Sequence, residues 1–366
     1  MKQKKRRIAL TVVCLLLAAV LVAAGVMFGK LGITLLSVEC NEETGVYIID
    51  YKEDYKLQQL LDEGGISTQD ELAKYIIRIL LKGLPIPIDY DVPSLACSTF
   101  AAQTPEGEYI MGRNLDNQET DLAVVQTAPK DGYRSVSVVN LSFLGYNKDH
   151  TPAKLKDRIV AMGAPYFPLD GINEKGFAVG VLQLMAEPTN QNTEKPDIDT
   201  TVAIRLMLDK AATVDEAIGL LRQYDMHASA DGCYHFQMAD ATGRSVVVEY
   251  VRDEIVVVER ENGFLAATNF YLSDVPFEYE PQGMDRYEGM KETLTEKNNV
   301  LTEAEGMDLL LKVALTGTAP DEKGRSYSTQ WSSVYNLSSP KLTLCADRGN
   351  GTTYVFSLGE TTGSTD

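Results

Sequence analysis

Apolar positions along the chain change their spacing several times, and each change predicts a different element. An uncharged stretch of 21 residues at positions 8–28 comes first, and about 20 apolar residues suffice to span a bilayer. Between Ser67 and Gly83, apolar side chains recur every three or four positions, which predicts an amphipathic helix. The first 96 residues are therefore predicted to contain one transmembrane helix and a short helical pro-segment.

Short alternating runs predominate after position 96, and two pairs of helical patterns interrupt them. Alternation of apolar and polar residues predicts strands, and the turn residues Asn262-Gly263 predict a hairpin. Helices are predicted near 201–210, from Thr213, and near 285–296 and 302–314. The predicted strands are 98–102, 109–111, 135–141, 177–184, 234–239, 245–251, 254–259, 264–268, 332–335, 342–345 and 353–357. Strand runs separated by helix pairs are typical of a layered α+β fold.

The net charge of the chain argues against one class of partner, nucleic acids. The 366 residues carry a formal net charge of -18, although residues 1–30 contain six basic residues and no acid, so the remainder carries about -24. Such an acidic surface repels polyanions, and we expect no nucleic acid partner. The chain is 44% hydrophobic. Beyond the apolar segment it is long enough for one large core, or for one core plus a smaller pro-segment.

The N-terminal flank predicts where the protein resides. Five Lys or Arg residues at positions 1–7 precede the apolar segment, and basic flanks favour the cytoplasmic side of a membrane. We therefore expect a retained single-pass anchor in the cell membrane, with the rest of the chain extracytoplasmic. A cleaved secretory signal is the alternative, but the apolar run exceeds the usual signal core of roughly 7 to 15 residues.

Cysteine usage is sparse outside the anchor. Four cysteines are too few for a disulfide framework in a chain of this length, and one unassigned pair remains open. Cys233 and His235 lie near His227, but their spacing fits no familiar zinc pattern. We expect neither a metal nor an organic cofactor. The four cysteines are Cys40, Cys97, Cys233 and Cys345.

Cys97 is the candidate nucleophile. A cysteine that attacks an amide needs a proton acceptor and donors for the developing oxyanion. The chain has three histidines, none near Cys97 in sequence, and the usual cysteine-protease signatures are missing. If the Ala96–Cys97 bond is cut, the new α-amino group, with a reference pKa of about 7.7 to 8.0, is a suitable acceptor. A histidine that reaches Cys97 only in the fold is the alternative base.

The residues around Cys97 resemble a known family. Cys97-Ser98-Thr99-Phe100 is followed by Gly112-Arg113-Asn114-Leu115-Asp116, and both runs match in order and spacing the opening motifs of the linear amide C-N hydrolases. This family includes choloylglycine (bile salt) hydrolases, penicillin V acylases and, more distantly, acid ceramidase-like amidases. Three later runs extend the resemblance to about Leu358; they are Asp170-Gly171-Ile172-Asn173-Glu174-Lys175-Gly176, Thr268-Asn269 and Asp285-Arg286-Tyr287.

The resemblance implies a fold and a set of site residues. It implies a four-layer αββα N-terminal-nucleophile hydrolase sandwich that is activated by autocatalytic cleavage before Cys97. Asp116 would orient the amine, and Arg113 and Arg286 would favour the thiolate. Donors to the oxyanion would be Asn173 and Asn269.

The implied reaction is hydrolysis of the amide C–N bond of small N-acyl substrates, such as bile-salt-like conjugates, N-acyl amino acids or fatty acid amides. Two alternatives use the same fold: an acyltransferase that passes the acyl group to an amine, and a non-catalytic envelope protein. No feature of the sequence indicates an oligomeric state. The predicted organisation is a cytoplasmic flank at 1–7, an anchor at 8–28, a pro-segment at 29–96, a hydrolase domain at 97–358 and a polar tail at 359–366.

Overall fold

A computed structural model describes residues 29, 31–41, 44–83, 95–147, 149–155, 157–259, 265–275, 281–319, 324–346 and 352–358. Within these ranges no helix combines the length and the apolar character needed to cross a bilayer. The predicted anchor at 8–28 and the predicted tail at 359–366 lie outside the described residues.

Strands of the described ranges form two large sheets and one short parallel pair. The strands are β1 (Glu39–Asn41), β2 (Val46–Tyr51), β3 (Ala96–Gln103), β4 (Tyr109–Asn117), β5 (Leu122–Thr127), β6 (Ser135–Asn140), β7 (Pro168–Asn173), β8 (Ala178–Leu184), β9 (Asp197–Asp199), β10 (Asp225–His227), β11 (Cys233–Ala239), β12 (Ser245–Val251), β13 (Glu254–Glu259), β14 (Leu265–Ala267), β15 (Ser328–Asn336), β16 (Lys341–Ala346) and β17 (Thr353–Ser357). The larger sheet has the order β1-β2-β5-β6-β7-β8-β11-β12-β13, and the smaller has the order β14-β3-β4-β15-β16-β17.

Helices cover the outer faces of both sheets. The α-helices with both ends in the described ranges are α1 (Leu57–Asp62), α2 (Gln69–Ile79), α3 (Thr200–Lys210), α4 (Val214–Leu221), α5 (Met284–Glu296) and α6 (Glu303–Lys312). Short 3₁₀ helices occur at Leu141–Leu144, Val160–Tyr166 and Ser229–Asp231. Helices α3 and α4 pack on the larger sheet, α5 and α6 pack on the smaller one, and the two sheets pack face to face. This four-layer arrangement confirms the predicted α+β class.

Burial along the strands follows from their position in these layers. In β12, Val246, Val247 and Val248 are all buried, because helix α4 covers one face of the strand and the second sheet lies on the other. Continuous apolar runs of this kind are typical of strands that are covered on both faces. At the edge of the smaller sheet, β17 alternates between exposed and partly buried residues.

The two sheets approach each other closely at Gly180. A Cβ atom at this position of β8 would lie 2.9 Å from Nη1 of Arg113, which projects from β4 of the opposite sheet. Any larger residue would therefore force the guanidinium to shift. Glycine at this position makes room for a buried charged side chain between the sheets.

The pro-segment forms part of the same core. Strand β2 pairs with β5 in parallel, the one parallel pairing within the described parts of the large sheets. The hydroxyl of Tyr55 donates to the buried carboxylate of Asp209 over 2.6 Å, and Tyr166 donates to the carbonyl of Tyr55 over 2.6 Å. Leu72 and Ile76 of α2 are fully buried. The prediction of a purely helical pro-segment is therefore wrong, because strands β1 and β2 of this segment join the larger sheet.

Most predicted elements after position 96 are present with shifted ends. Helix α4 begins as predicted, since Thr213 accepts from the N–H of Glu216, but the Glu216 carboxylate bonds to the N–H of Ala212 instead of closing a capping box. A complete capping box joins Thr302 and Glu305 at the start of α6. Strands β5 and β7 and the short β9–β10 pair were not predicted.

Candidate active site

Cys97 lies near the start of β3 and has no exposed surface. Its backbone N–H donates to Oδ1 of Asn269 over 2.9 Å, and its carbonyl accepts from Nη1 of Arg286 over 2.8 Å. The thiol sulfur lies 3.6 Å from Nη2 of Arg113. Three predicted site residues from three different parts of the chain thus contact Cys97 directly.

Arg113 is held in place by groups of the opposite sheet. Its Nε lies 2.8 Å from Oδ2 of Asp170, and its Nη1 donates to the carbonyl of Leu169 over 2.7 Å. Asp170 also accepts from Trp331 over 3.2 Å and from the hydroxyl of Tyr335. Because a buried charge needs a partner, Asp170 both neutralises and aims the guanidinium that faces the thiol.

Arg286 joins the remaining polar groups. Its Nη1 lies 2.6 Å from Oδ2 of Asp116, and its Nη2 donates to Oδ1 of Asn269 over 2.9 Å. The second carboxylate oxygen of Asp116 accepts from the hydroxyl of Thr329. Asp116 is fully buried, whereas Arg286 is 8% exposed. Asn269 and Arg286 therefore contact Cys97 directly, and Asp116 is linked to it through Arg286. The roles assigned to these residues stay predictions.

Electrostatics keep the thiol protonated while the chain is uncut. Burial raises the pKa of the Cys97 thiol to about 11, although the guanidinium groups of Arg113 and Arg286 act in the opposite direction. The carboxylates of Asp116 and Asp170 also raise this pKa. An activated thiolate is the usual attacking species in cysteine chemistry, so this arrangement needs a nearby base before it can react with a substrate.

Gln183 contacts Leu95, which lies two positions before Cys97. Its Oε1 accepts from the N–H of Leu95 over 2.5 Å, while its backbone carbonyl accepts from Nδ2 of Asn269 over 2.7 Å. The N–H of the Ala96–Cys97 peptide bond therefore donates to Asn269, and the N–H of Leu95, two positions earlier, donates to Gln183. Gln183 was not among the predicted site residues. Its one signal was a polar side chain at the end of the apolar strand β8.

Asn173 does not join the site. Its side-chain amide donates to two carbonyls at the C-terminal end of helix α3. One is that of Leu208, over 3.0 Å, and the other is that of Ala211, which follows the helix, over 2.7 Å. Its Oδ1 accepts from the N–H groups of Lys175 and Phe177. The side chain thus closes the turn between β7 and β8 and ties it to α3. The prediction of an oxyanion donor at Asn173 is corrected by this geometry, because no amide hydrogen remains to be donated.

Each of the three histidines lies in the described ranges and is engaged away from the thiol. His150 lies 3.7 Å from Asp157, and His227 contacts Asn190 and Asp197. His235 lies between the carbonyl of Thr268 and the carboxylate of Glu249. A histidine base for Cys97, the alternative raised by the sequence, therefore has no support in these contacts.

The other cysteines are not paired with one another. Among the described residues no disulfide joins Cys40, Cys97, Cys233 and Cys345 to one another, so the pair left open by the sequence is not formed there. Nor do these residues contain a group of three or more His, Cys, Asp or Glu side chains arranged to hold a metal ion.

Comparison with known proteins agrees with this site. The profile of the linear amide C-N hydrolases, choloylglycine hydrolase family, matches residues 97–309, and its match begins at Cys97. A penicillin V acylase from Pectobacterium atrosepticum is 31% identical over 104 residues, which cover 25% of this chain and 28% of that protein. A bile salt hydrolase/transferase from Clostridium perfringens is 24% identical over 211 residues, or 53% of this chain and 58% of the relative. The chain thus spans between about a quarter and three fifths of these relatives.

Solved structures show the same fold. A variant of the conjugated bile acid hydrolase from Clostridium perfringens superposes with a TM-score of 0.52 at 15% identity, covering 71% of this chain and 92% of that one. The penicillin V acylase from Agrobacterium tumefaciens superposes with a TM-score of 0.50 at 17% identity, covering 72% and 86%. At such identities the similarity concerns the fold.

Proposed function

Because the chain belongs to the linear amide C-N hydrolases of the choloylglycine hydrolase family, we propose that it hydrolyses N-acyl amides with the thiol of Cys97. The thiol becomes active when the bond between Ala96 and Cys97 is cut. One observation carries this proposal: the nitrogen and sulfur of Cys97 are both held by buried polar groups, while the histidines contact other residues. The nitrogen of Cys97 itself is then the nearest group that can become a base.

Self-cleavage comes first in this mechanism. The sulfur of Cys97 attacks the carbonyl carbon of Ala96, the C–N bond between the two residues breaks, and the nitrogen takes up the thiol proton. The product is a thioester that joins Ala96 to the sulfur, and water hydrolyses it to leave a carboxylate on Ala96. Cys97 then has a free thiol and a free α-amino group, the pair that N-terminal nucleophile chemistry requires.

Amide hydrolysis repeats these steps on a bound substrate. The α-amine takes the thiol proton, the sulfur attacks the acyl carbon, and the resulting ammonium protonates the leaving amine. Water activated by the amine then hydrolyses the thioester. Arg113, 3.6 Å from the sulfur, stabilises its negative charge. The amide of Asn269 is the candidate donor to the oxyanion, because its Nδ2, which donates to the carbonyl of Gln183, lies only 3.5 Å from the carbonyl of Leu95 beside the bond that is cut. Such an interaction is worth about 3 to 4 kcal/mol when the donor is removed.

Asp116 and Arg286 orient the nucleophile in this proposal. Arg286 bridges the Asp116 carboxylate, the carbonyl of Cys97 and the Oδ1 atom of Asn269. Since this Oδ1 also accepts from the Cys97 nitrogen, the bridge fixes the direction of the amine after cleavage. Fixed geometry of this kind lowers the barrier without any new bond to the substrate.

We propose amides with an apolar acyl group as substrates. Phe270 follows Asn269 directly, Tyr287 follows Arg286, and the two rings meet edge to face with centroids 5.2 Å apart. An aromatic pair next to two site residues offers an apolar surface for an acyl chain. Bile-salt-like conjugates, N-acyl amino acids and fatty acid amides all satisfy this requirement.

We also propose that the uncharged segment 8–28 tethers the enzyme to the cell membrane, with the hydrolase domain extracytoplasmic. The support is the segment's length and its basic flank. Alkaline carbonate extraction of cell membranes tests this proposal. The protein should stay in the pellet, and release of a chain without residues 1–28 would indicate a cleaved signal instead.

A substrate panel tests the hydrolase. The cut protein is incubated with a glycine-conjugated bile acid, an N-lauroyl amino acid, a fatty acid ethanolamide and phenoxymethylpenicillin, and with N-acetylglycine as a short soluble amide. Mass spectrometry identifies the products. We expect a free acid and a free amine from at least one amphiphilic amide, and none from Cys97→Ala. Cleavage of short soluble amides alone would contradict the proposed substrate class, and full activity in Cys97→Ala would contradict the nucleophile.

Added amines distinguish hydrolysis from acyl transfer. The same thioester can react with an amine instead of water, and the relative from Clostridium perfringens carries both activities in its name. With millimolar taurine or glycine present, a hydrolase gives mainly the free acid, whereas an acyltransferase gives mainly the new amide. If neither product forms from any substrate, the third possibility, a non-catalytic envelope protein, is favoured.

A further inference from the structure

Two buried ionisable groups of the larger sheet are not used by the mechanism above. His235 of β11 and Glu249 of β12 are both completely buried, and Nδ1 of His235 lies 3.3 Å from Oε1 of Glu249. Neither side chain touches Cys97. Burying a charged pair is costly unless its hydrogen bonds are satisfied, so the partners of this pair indicate what it does.

Those partners belong to the loop that carries Asn269. Nε2 of His235 lies 2.8 Å from the carbonyl oxygen of Thr268, the residue just before Asn269. The carboxylate of Glu249 accepts from the N–H of Leu272 over 2.6 Å and from the N–H of Ser273 over 3.1 Å. The Ser273 hydroxyl donates to the same carboxylate. The pair thus holds the backbone of this loop both before and after Asn269.

Both ring nitrogens of His235 face hydrogen-bond acceptors. One lies next to the carbonyl oxygen of Thr268, and the other lies next to the carboxylate of Glu249. Burial alone would raise the pKa of Glu249, but the hydrogen bond and charge of His235, with the donors of Ser273 and Leu272, hold it below its usual value.

The backbone of this loop determines where the Asn269 side chain lies, and that side chain makes three hydrogen bonds at the site. Its Oδ1 accepts from both Cys97 and Arg286, and its Nδ2 donates to the carbonyl of Gln183 over 2.7 Å. These contacts fix the rotamer of the side chain only if the backbone beneath it is fixed. A displacement of about 1 Å in a catalytic group can reduce a rate by roughly a hundredfold.

We propose that His235 is a positioning residue that, with Glu249 as its hydrogen-bond partner, fixes the backbone at Thr268 and thereby aims Asn269 at Cys97. The role rests on the proposed function, since it acts through Asn269 in self-cleavage and in amide hydrolysis. His235 does not exchange protons with the substrate or with the thiol. It differs in this respect from the histidine bases of cysteine proteases.

A double-mutant cycle tests this role. His235→Gln keeps a hydrogen-bond donor but removes the two ring nitrogens that face Thr268 and Glu249. Asn269→Ala removes the group on which His235 is proposed to act. For each single variant and for the double variant, the rate of self-cleavage and kcat and KM of the cut enzyme are measured, with thermal unfolding as a check on folding. His227→Gln is the matched control, because that histidine is partly exposed and lies on β10.

The proposal predicts a specific pattern. His235→Gln should lower kcat and the self-cleavage rate roughly tenfold to a hundredfold with KM changed less than about threefold, because only the aim of Asn269 is affected. In the Asn269→Ala background, the same substitution should lower both rates less than about twofold. An equal loss in both backgrounds, or a change in KM alone, would overturn the role of His235.

A second, milder variant tests the same role if His235→Gln misfolds. If His235→Gln does not fold, Ser273→Ala removes one donor to Glu249 and leaves the backbone bonds in place. It should lower kcat by roughly twofold to fivefold, and an unchanged kcat would overturn the proposal. Unchanged rates in His235→Gln, with an active wild type, would refute the positioning role alone. A wild type that neither cleaves itself nor hydrolyses any amide would refute the proposed function as well.

Discussion

The backbone N–H of Cys97 donates to Oδ1 of Asn269 over 2.9 Å, across 172 positions of the chain. This bond places the nitrogen that becomes the α-amine beside the group that is proposed to bind the oxyanion. The same oxygen accepts from Arg286, which links the two to Asp116. Nucleophile, prospective base and oxyanion donor are therefore in contact before the chain is cut.

The two predicted oxyanion donors should behave differently when each is replaced by alanine. Asn269→Ala should lower kcat of the cut enzyme roughly a hundredfold to a thousandfold, since a donor to the oxyanion is lost. Asn173→Ala should leave kcat within about threefold. It should instead destabilise the fold by about 1–3 kcal/mol, because buried backbone groups at the β7–β8 turn and the end of α3 lose their partner.

Steady-state kinetics and thermal unfolding of the two variants check this contrast. A large loss of kcat in Asn173→Ala, without a loss of stability, would restore that residue to the site.

Much of the site was predictable from the sequence, because its residues occur in local motifs. Cys97 and Asp116 lie on adjacent strands joined by a short turn, so their spacing alone brings them together once β3 and β4 pair. Asn269 was expected at a strand end and lies just beyond β14. Arg286 was carried by the resemblance alone, and the structure places it between Asp116 and Asn269.

The failures share a physical cause, which is dependence on contacts between distant segments. The Asn173 motif indicates a turn equally well, and only the position of α3 shows that both amide hydrogens are used. Strand β2 is defined by its pairing with β5, more than 70 positions away, which no local pattern contains. Gln183 belongs to the site because the chain at Leu95 passes next to it.

Reactivity of the thiol should change sharply on cleavage. A pKa near 11 leaves about one thiol in a thousand ionised at pH 8, against about one in four for an ordinary cysteine. Alkylation of Cys97 by iodoacetamide should therefore be at least a hundredfold slower in the uncut chain than in the cut chain. In the uncut chain its rate should rise about tenfold per pH unit, because the neutral thiol persists until the pH approaches 11.

Mass spectrometry of a partly cleaved sample measures the alkylated fraction of Cys97 in the cut and the uncut chain at the same time. The peptide that contains Cys97 is quantified for each form. Cys40, which is partly exposed, serves as the internal reference. Equal alkylation of Cys97 in the two forms at pH 8 would contradict the raised pKa.

Gln183 should affect the rate of self-cleavage through the hydrogen bond it accepts from Leu95. Gln183→Met has a similar shape but no acceptor, and it should slow cleavage roughly twofold to tenfold, as expected for one net hydrogen bond. Gln183→Glu keeps an acceptor oxygen and is the matched control. The fraction of cut chain is followed over time on denaturing gels. If the Met variant cleaves itself as fast as the wild type, the hydrogen bond from Leu95 to Gln183 is not needed for self-cleavage.

The N-terminal fragment should remain bound after cleavage. Strand β2 pairs with β5 over six residues, and Tyr55 donates to a buried carboxylate of helix α3. Native mass spectrometry of the cut protein should therefore give the summed mass of both fragments. Tyr55→Phe should destabilise this assembly by about 1–3 kcal/mol, since Asp209 loses a buried donor.

Tyr75→Phe is the control for this prediction, because the Tyr75 hydroxyl donates to Lys56 within the same segment. Its effect on fragment binding should be clearly smaller. Loss of the fragment from the wild type on size-exclusion chromatography, with the remaining chain still folded, would contradict the interpretation of the segment as part of the core.

Self-cleavage before Cys97 is the central claim, and intact mass with N-terminal sequencing of the purified full chain tests it most directly. The wild type should yield a fragment that begins at Cys97, about 270 residues long, and Cys97→Ala should yield only the uncut chain. Gradual appearance of the fragment in purified protein would show that no other protease is needed. A wild type that stays uncut and still hydrolyses amides would contradict the free-amine mechanism, and so would a Cys97→Ala chain cut at the same bond.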